Sequence, residues 1–240
     1  MNLKTAFLLI WITFLLFSCG RGQYQTTRSH YTPNLAKEKL NTELAFVAGV
    51  GVSANVALKI SKNWGAVANF QSNQTSYEGE STWLNSKRII KTGYSCDLGA
   101  NYNTQINERV SFNISGGGGY NNSTYYSKFK GNSFDADQTS TQGYYYYVQP
   151  YLRFSKNKFS HLLAIRVQNY SHNTQQKVIS NNQITPEIKT TEQHSPAFSL
   201  SYGIDWNVMS NLNLTSQIGL ETNNSSWAKI GVQFVLPSKK

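Results

Sequence analysis

Histidine and cysteine are the residue types here best suited to catalysis or metal binding, and their spacing supports neither. The four histidines are widely separated and form no HExxH motif; they are His30, His161, His172 and His194. Two cysteines cannot build a zinc site without suitably spaced histidines. Serine is too common for a Ser/His/Asp set to be recognised. The sequence therefore predicts no catalytic residue, no metal site and no cofactor, and a protein that is not an enzyme.

Cys19 follows a segment typical of an export signal. Lys4 supplies a positive start, and residues 6–17 are almost entirely apolar. That run is shorter than the roughly 20 residues of a membrane-spanning helix. The sequence Leu16-Phe17-Ser18-Cys19-Gly20 resembles the lipobox of bacterial lipoproteins, which implies that Cys19 is lipidated and becomes the new N-terminus. An ordinary secretory signal cleaved near residues 20–23 is the alternative.

Composition favours a β-protein whose two faces meet different media. Charged residues make up 14% of the chain, against about 25% in typical soluble domains. The 15 Tyr, 12 Phe and 5 Trp lie among neutral polar residues. The net charge of +10 is scattered, with no basic stripe and no motif that reads nucleic acid. We therefore expect an anionic lipid surface, and no nucleic acid, as a partner.

Apolar and polar residues alternate with a period of two through the body of the chain. The clearest segments are residues 110–120, 144–154, 198–208 and 228–236. One apolar and one polar face over about 9–11 residues is the pattern of a membrane-spanning β-strand. Short polar turns at residues 61–63, 105–108, 155–158 and 210–211 alternate with longer polar stretches near residues 74–87, 127–142 and 171–193. Together these features predict an all-β fold, a closed up-and-down antiparallel membrane β-barrel of ten strands, with eight as the alternative.

The chain divides into four predicted segments. Residues 1–18 are a signal peptide, and residues 19–41 are a lipidated N-terminus with a periplasmic tether that has little structure of its own. Residues 42–237 form the β-barrel, and residues 238–240 are a tail.

The polar face of such a barrel lines its lumen, and charged residues from several strands are expected there. They are Lys59, Lys91, Asp97, Arg153, Arg166, Asp205, Glu221 and Lys229. Side chains largely fill the interior of a barrel of eight to ten strands. A packed network of ion pairs that plugs the barrel is therefore favoured, and a small pore or a ligand pocket is the alternative.

Aromatic residues cluster near the predicted strand ends, as in the girdles that mark the two membrane surfaces. The predicted girdle residues are Trp64, Tyr77, Trp83, Tyr102, Tyr125, Tyr126, Tyr170, Trp206 and Trp227. A general preference of Tyr and Trp for strands is the alternative explanation.

A period of two does not say which face points outward. The same pattern is compatible with a lipid-anchored soluble β-barrel or sandwich that binds a ligand or partner in the periplasm or at the cell surface. A soluble exterior normally carries about 25–35% charged residues. The low charge of the polar face therefore favours the membrane-inserted version.

Short motifs near the start of the body add a family resemblance. They are Tyr31-Thr-Pro-Asn34, Lys37-Glu-Lys39, Glu43, and Ser61-Lys62-Asn63-Trp64 followed by Gly65-Ala-Val-Ala68. The pattern resembles small outer-membrane barrel proteins of Bacteroidetes. That resemblance implies a protein inserted in the outer membrane and lipid-anchored, with a structural, surface-interaction or narrow-pore role. The implied partners are outer-membrane lipids, with lipopolysaccharide or an external protein at the longer loops.

Overall fold

The chain forms a closed barrel of ten antiparallel strands. The computed structural model describes residues 30–35, 38–47, 51–81, 85–129, 136–179, 187–222 and 226–237. The strands are β1 (Glu38–Val47), β2 (Gly51–Lys59), β3 (Trp64–Ser81), β4 (Asn85–Gln105), β5 (Val110–Phe129), β6 (Ala136–Lys156), β7 (Phe159–Ile179), β8 (Glu187–Met209), β9 (Leu212–Glu221) and β10 (Ser226–Pro237). Each strand pairs with its chain neighbours, and β1 pairs with β10 to close the barrel. The predicted fold class is confirmed, with ten strands.

Alternation along each strand places apolar side chains outside and polar side chains inside. On β1, Leu44 and Phe46 are 64% and 61% exposed, while Asn41 and Glu43 are buried. The same division holds on β7, where Leu163 is 43% exposed and Arg166 is 2% exposed. A water-soluble barrel would bury the apolar set, because burial of apolar surface is what stabilises a soluble core. The structure thus settles the face that the sequence period leaves open.

Six strands are much longer than the other four. Strands β1, β2, β9 and β10 have 10, 9, 10 and 12 residues, whereas β3 to β8 have 18 to 23. Much of the polar sequence near residues 74–87, 127–142 and 171–193 therefore extends hairpin strands, where loops were expected. The sequence of these segments is mostly polar and lacks apolar–polar alternation, so the period does not reveal the strands, yet ladder hydrogen bonds satisfy their backbone.

Tight turns mark one end of the barrel, which we call the turn end; the opposite end is the loop end. The turns comprise residues 60–63, 106–109, 157–158 and 210–211. Asn107 shapes one of them, because its Oδ1 atom accepts hydrogen bonds of 2.9 Å from the backbone N–H groups of Arg109 and Val110. Asn157 has a φ of 55°, a left-handed conformation that asparagine tolerates better than most residues. These positions agree with the turns expected from sequence.

Outward-facing aromatic pairs lie close to the turn end. Trp64 and Tyr102 pack edge to face with ring centroids 5.2 Å apart, and Phe159 stacks on Trp206 at 6.2 Å. Two predicted girdle residues are wrong, because Tyr170 and Trp227 are 3% and 1% exposed on the inner face. Alternate residues of a strand face opposite sides of the wall, and Tyr170 and Trp227 occupy inward positions. The prediction considered only their closeness to strand ends. Tyr125 and Tyr126 are half-buried, and the side chains of Tyr77 and Trp83 lie outside the described residues.

The start of the barrel differs from the prediction in two ways. Strand β1 begins at Glu38, before the expected boundary at residue 42. Residues 30–35, assigned by sequence to a periplasmic tether, are buried inside the barrel. The tether prediction is wrong for these residues, because the backbone carbonyls of residues 30–34 and the side chains of His30 and Tyr31 find hydrogen-bond partners inside the barrel. Residues 1–29, with Cys19 and the signal, and the tail at 238–240 lie outside the described residues.

Candidate functional site

The lumen holds a peptide from the chain's own N-terminal region. We call residues 30–35 the lumen peptide. All six residues are buried, and His30 and Leu35 have no exposed surface. Two residues separate the peptide from β1, which begins at Glu38, so the polypeptide lies in the barrel interior before it enters the wall. This arrangement makes the inner wall a binding site for an extended peptide.

Five successive backbone carbonyls of the lumen peptide each accept a hydrogen bond. The donors are Lys229 Nζ to His30 O (3.0 Å), Gln149 Nε2 to Tyr31 O (2.8 Å), Arg153 Nη2 to Thr32 O (2.6 Å), Tyr151 Oη to Pro33 O (2.7 Å) and the Glu38 backbone N–H to Asn34 O (3.0 Å). Three of these donors, Gln149, Tyr151 and Arg153, are alternate residues of β6 and so share its inner face. Side chains here replace a strand ladder in satisfying a buried backbone.

His30 anchors the first residue of the lumen peptide to β8. Its ring nitrogens lie 2.6 Å from Ser201 Oγ and 2.7 Å from Ser199 Oγ. The ring packs edge to face on Trp227, with centroids 5.3 Å apart. Burial lowers the pKa of His30 well below 6.5, and the nearby positive charges of Arg166 and Lys229 lower it further. The imidazole is therefore neutral and acts as a hydrogen-bonding anchor.

Two further side chains of the lumen peptide, those of Tyr31 and Leu35, contact the strands of the wall. The Tyr31 hydroxyl donates to the backbone carbonyl and to Oδ1 of Asn41, at 2.8 and 2.9 Å. Leu35 joins a buried cluster with Ala57 and Val67. Gly65 makes room for this cluster, because a Cβ atom at Gly65 would overlap the Leu35 methyl group.

Two buried ion pairs connect the barrel wall to the lumen peptide. Lys229 Nζ lies 2.6 Å from Glu43 Oε1, and Arg153 Nη1 lies 2.6 Å from Asp205 Oδ2. Each cation therefore contacts a carboxylate of the wall and, as described above, a carbonyl of the peptide. Buried charges are stable only when paired and hydrogen-bonded. The wall and the peptide complete each other's polar contacts.

A third ion pair lies among tyrosines. Asp97 Oδ2 is 3.5 Å from Arg166 Nη2 and accepts a 2.9 Å hydrogen bond from the Tyr145 hydroxyl. Asp97 Oδ1 accepts another from Asn69. The Arg166 guanidinium lies over the Tyr147 ring, 3.9 Å from its centroid, a geometry that gives a cation–π interaction.

Glycines in the run 116–119 provide the space for these tyrosine rings. Gly117 pairs with Tyr147, and Gly119 pairs with Tyr145. A Cβ atom at Gly119 would overlap the Tyr145 ring and hydroxyl, whereas one at Gly116 would meet only the Tyr147 backbone carbonyl at 3.6 Å. The inward-facing glycines thus allow large inner side chains in a narrow barrel.

The eight charged residues expected in the lumen have different positions. Asp97, Arg153, Arg166, Asp205 and Lys229 are at most 6% exposed and lie in the ion pairs above. Lys59 and Glu221 are half-buried, and Glu221 accepts a 2.9 Å hydrogen bond from Gln168. The side chain of Lys91 lies outside the described residues.

Besides neutral polar residues such as Gln149 and Tyr151, sequence reasoning missed three acidic or histidine members of the site, namely His30, Glu38 and Glu43. The period of two does indicate that Glu43 faces inward, because Glu43 lies on the strand face opposite to Leu44 and Phe46. Glu38 and His30 were assigned to the tether, and no local pattern distinguishes a lumen peptide from an exposed one. Glu38 accepts a 2.6 Å hydrogen bond from Asn41 Nδ2.

The site has the composition of a peptide-binding interior. Among the residues with described positions, no three or more His, Cys, Asp or Glu side chains are grouped to hold a metal ion. The same residues include no helix long and apolar enough to cross a bilayer. The three ion pairs join the buried cations to carboxylates of the wall, and Lys229 and Arg153 also contact the lumen peptide. Chemically, this arrangement binds and orients an extended backbone.

Comparison with known proteins gives likeness in fold alone. No family model and no curated protein sequence matches the chain. Among solved structures, it is similar to the outer membrane protease OmpT from Escherichia coli, with a TM-score of 0.61, 9% identity, and coverage of 88% of this chain and 100% of that one. It is also similar to the translocator domain of autotransporter NalP from Neisseria meningitidis, with a TM-score of 0.50, 8% identity, and coverage of 82% and 87%. The chain therefore shares the architecture of outer-membrane barrels.

Proposed function

We propose that this protein is a non-enzymatic outer-membrane β-barrel that is plugged by its own lumen peptide and presents its long hairpins as an interaction surface. The outward apolar face carries the proposal. On β8, Phe198, Leu200 and Trp206 are each at least 42% exposed, and the outward residues of 198–208 form an apolar band. Its length agrees with the roughly 9–11 residues of a tilted strand crossing a bilayer.

The hairpins continue beyond this band. On β7, the outward side chains change from Leu163 and Val167 to Asn169 and Asn173, which are also exposed. Short turns face the periplasm and longer connections face outside in barrels of this kind. The loop end is therefore the external end, and its polar hairpins are available to lipopolysaccharide or an external protein, while outer-membrane lipids surround the band.

The filled interior of the barrel favours a closed barrel and argues against a narrow pore. The lumen peptide and the three ion pairs occupy the space that a pore would need. The lipid-anchored soluble binder is less favoured, because it would expose the apolar band to water. A contiguous apolar surface of that kind marks an interaction or membrane surface.

Two substitutions on β7 test insertion. Leu163→Arg places a charge in the middle of the apolar band and should cost about 2–4 kcal/mol of folding free energy in a bilayer. Asn173→Arg places the same charge on the polar hairpin and should have little effect. Both are measured by urea titration in lipid vesicles. Equal effects of the two substitutions would contradict the proposal.

Membrane fractionation gives an independent test. A variant with Cys19→Ala behind a cleavable signal should stay in the outer membrane through high-salt and alkaline carbonate extraction. Release into the soluble fraction would mean that a lipid was the only anchor, and would favour the soluble binder.

A further inference from the structure

Tyrosines lie where the outward apolar band ends on three neighbouring strands. On β4, β5 and β6, an outward tyrosine is followed, two residues nearer the loop end, by an outward hydroxyl or amide residue. These pairs are Tyr94 and Thr92, Tyr120 and Asn122, and Tyr144 and Gln142. Tyr94 and Tyr144 are 42% and 66% exposed. The tyrosines therefore mark the loop-side boundary of the apolar band on this part of the wall.

These three tyrosines pack against one another, and we call them the tyrosine row. The ring centroids of Tyr94 and Tyr120 are 6.2 Å apart, and those of Tyr120 and Tyr144 are 5.3 Å apart. Tyrosine combines an apolar ring with a polar hydroxyl and is enriched where a membrane meets water. The row therefore has the composition and position of an aromatic girdle at the loop-side surface of the membrane.

An apolar groove of about 780 Å³ lies on the outer wall at the turn side of the tyrosine row. Its outward-facing lining is apolar or aromatic. Ala68 and Gly118 leave space there beside the larger Phe70, Leu98 and Tyr146. A Cβ atom at Gly118 would lie 3.3 Å from the Tyr146 ring. The groove thus depends on small residues at these outward positions.

A polar groove of about 560 Å³ continues from the apolar groove toward the loop end, and Phe70 lines both. Its hydroxyl and amide side chains belong to Ser72, Thr92, Asn122 and Thr124. Tyr94 also lines this groove and lies in register with Ser72 and Asn122. Among the described residues of its lining, none is charged. Together the two grooves form one amphipathic surface across the boundary of the apolar band.

We propose that the two grooves together bind one glycolipid of the external leaflet, with an acyl chain in the apolar groove and the sugar in the polar groove. The inference rests on the proposed function, which places the apolar band in the bilayer and makes the loop end external. Because the apolar groove lies within that band, lipid chains are the apolar groups beside it. Binding sites of this kind combine an apolar lining with a few polar groups that fix orientation.

The polar groove suits a sugar better than a phosphate. The ring of Tyr94 stacks on the apolar face of a sugar, and hydroxyl and amide side chains both donate to and accept from sugar hydroxyls. Phosphate is bound most strongly by charged donors such as Arg and Lys, which the lining of the polar groove lacks among its described residues. An uncharged sugar headgroup is therefore the ligand that matches this chemistry.

Lipid retention by the purified full-length protein tests the proposal. The protein in detergent receives equal amounts of monoglucosyl diacylglycerol and phosphatidylglycerol with identical acyl chains, so that only the headgroup differs. Native mass spectrometry counts the lipids on each barrel, and titration gives the dissociation constants. One glucosyl lipid should be retained per barrel, about tenfold more tightly than phosphatidylglycerol. The net charge of +10 favours the anionic lipid, so non-specific attraction cannot produce this preference.

Substitutions on β5 test where the lipid binds. Gly118→Leu fills the apolar groove and should weaken binding of the glucosyl lipid by about tenfold. Gly116→Leu is the matched control, because Gly116 also faces outward, two residues nearer the turn end and outside the lining of the groove. Asn122→Leu removes an amide from the polar groove and should reduce the preference for the sugar headgroup. Thermal unfolding of each variant without added lipid checks that it is folded.

Three results would overturn the proposal. They are equal retention of the two lipids, equal effects of Gly118→Leu and Gly116→Leu, and a protein dimer that Gly118→Leu disrupts, which would show that a second copy covers the apolar groove. Failure of the proposed function is seen separately, in the Leu163→Arg comparison and in carbonate extraction. An inserted barrel without a headgroup preference loses the glycolipid site alone, whereas a barrel released by carbonate loses both proposals.

Discussion

The side chains of Lys229 and Glu43 lie 2.6 Å apart across the seam where β10 meets β1. Both are 2% exposed, and Glu43 also accepts hydrogen bonds from Asn55 and Gln233 at 2.9 and 3.1 Å. The pair thus lies where the first and last strands close the barrel, and Lys229 also holds the His30 carbonyl. Lys229 therefore links the seam between β10 and β1 to the lumen peptide.

Removing the charge of one member of this pair should lower the free energy of unfolding more than neutralising both members. Lys229→Met leaves Glu43 buried and unpaired, and should lower the free energy of unfolding by about 3–5 kcal/mol. Adding Glu43→Gln should recover part of that loss, because no buried charge is then left over. Urea titration in lipid vesicles measures both. Lys62→Met, in an exposed turn, is the control, and a loss no greater than that of the control would contradict the prediction.

Two tyrosines of β6 separate lumen contacts from lipid contacts. Tyr151→Phe removes the donor to the Pro33 carbonyl and should cost about 1–3 kcal/mol, because a buried acceptor loses its partner. Tyr146→Phe removes a hydroxyl from a side chain that is 74% exposed on the outer face, and should change stability by no more than about 0.5 kcal/mol. The comparison uses thermal or urea unfolding in vesicles. Similar values for the two variants would argue against a bound lumen peptide.

Alanine substitutions in the glycine run 116–119 should have different effects at inward-facing and outward-facing positions. Gly119→Ala forces the Tyr145 ring to move away from Asp97 and should cost about 1–3 kcal/mol through overpacking. Gly116→Ala faces outward into ordinary contact space and should be nearly neutral. Unfolding free energies of the two variants, measured in vesicles, test this. A neutral Gly119→Ala would mean that the ring does not need this space.

His30 should make stability fall as the medium becomes acidic. Its pKa is lowered in the folded protein by burial and then by Arg166 and Lys229, so the unfolded chain takes up a proton first, near 6.5. The contribution of the neutral ring is complete above that pH and is lost progressively below it, by up to about 1.4 kcal/mol per pH unit. Unfolding measured from pH 8 to pH 5 checks the sign.

His30→Gln supplies the comparison for this pH dependence. Glutamine hydrogen-bonds to the same serines but does not titrate, so the variant should lose stability less steeply between pH 7 and pH 5. Carboxylates contribute equally to both proteins, so the difference between the two slopes isolates His30. Identical slopes would show that the ring is not buried in its neutral form.

The period-two pattern alone determined that the fold is all-β, because a strand that separates two media must present one face to each of them. It also determined which residues share a face, and therefore that Asp97, Arg153, Arg166, Asp205 and Lys229 lie together on the polar side. Turn residues such as Asn107 and Asn157 determined where hairpins reverse, since their side chains and conformational tolerance act locally. These properties depend only on residues that are close together in the chain, so they can be predicted from the sequence.

The tertiary structure alone decided which face points outward and what fills the lumen. Alternation is symmetric with respect to inside and outside, so the orientation is seen only in the structure, where the polar side chains pair with one another inside the barrel. The position of residues 30–35 depends on contacts with residues more than one hundred positions away, such as Gln149, Ser201 and Lys229. A short polar segment with no period carries no trace of such partners, because its extended conformation is stabilised entirely by the wall around it.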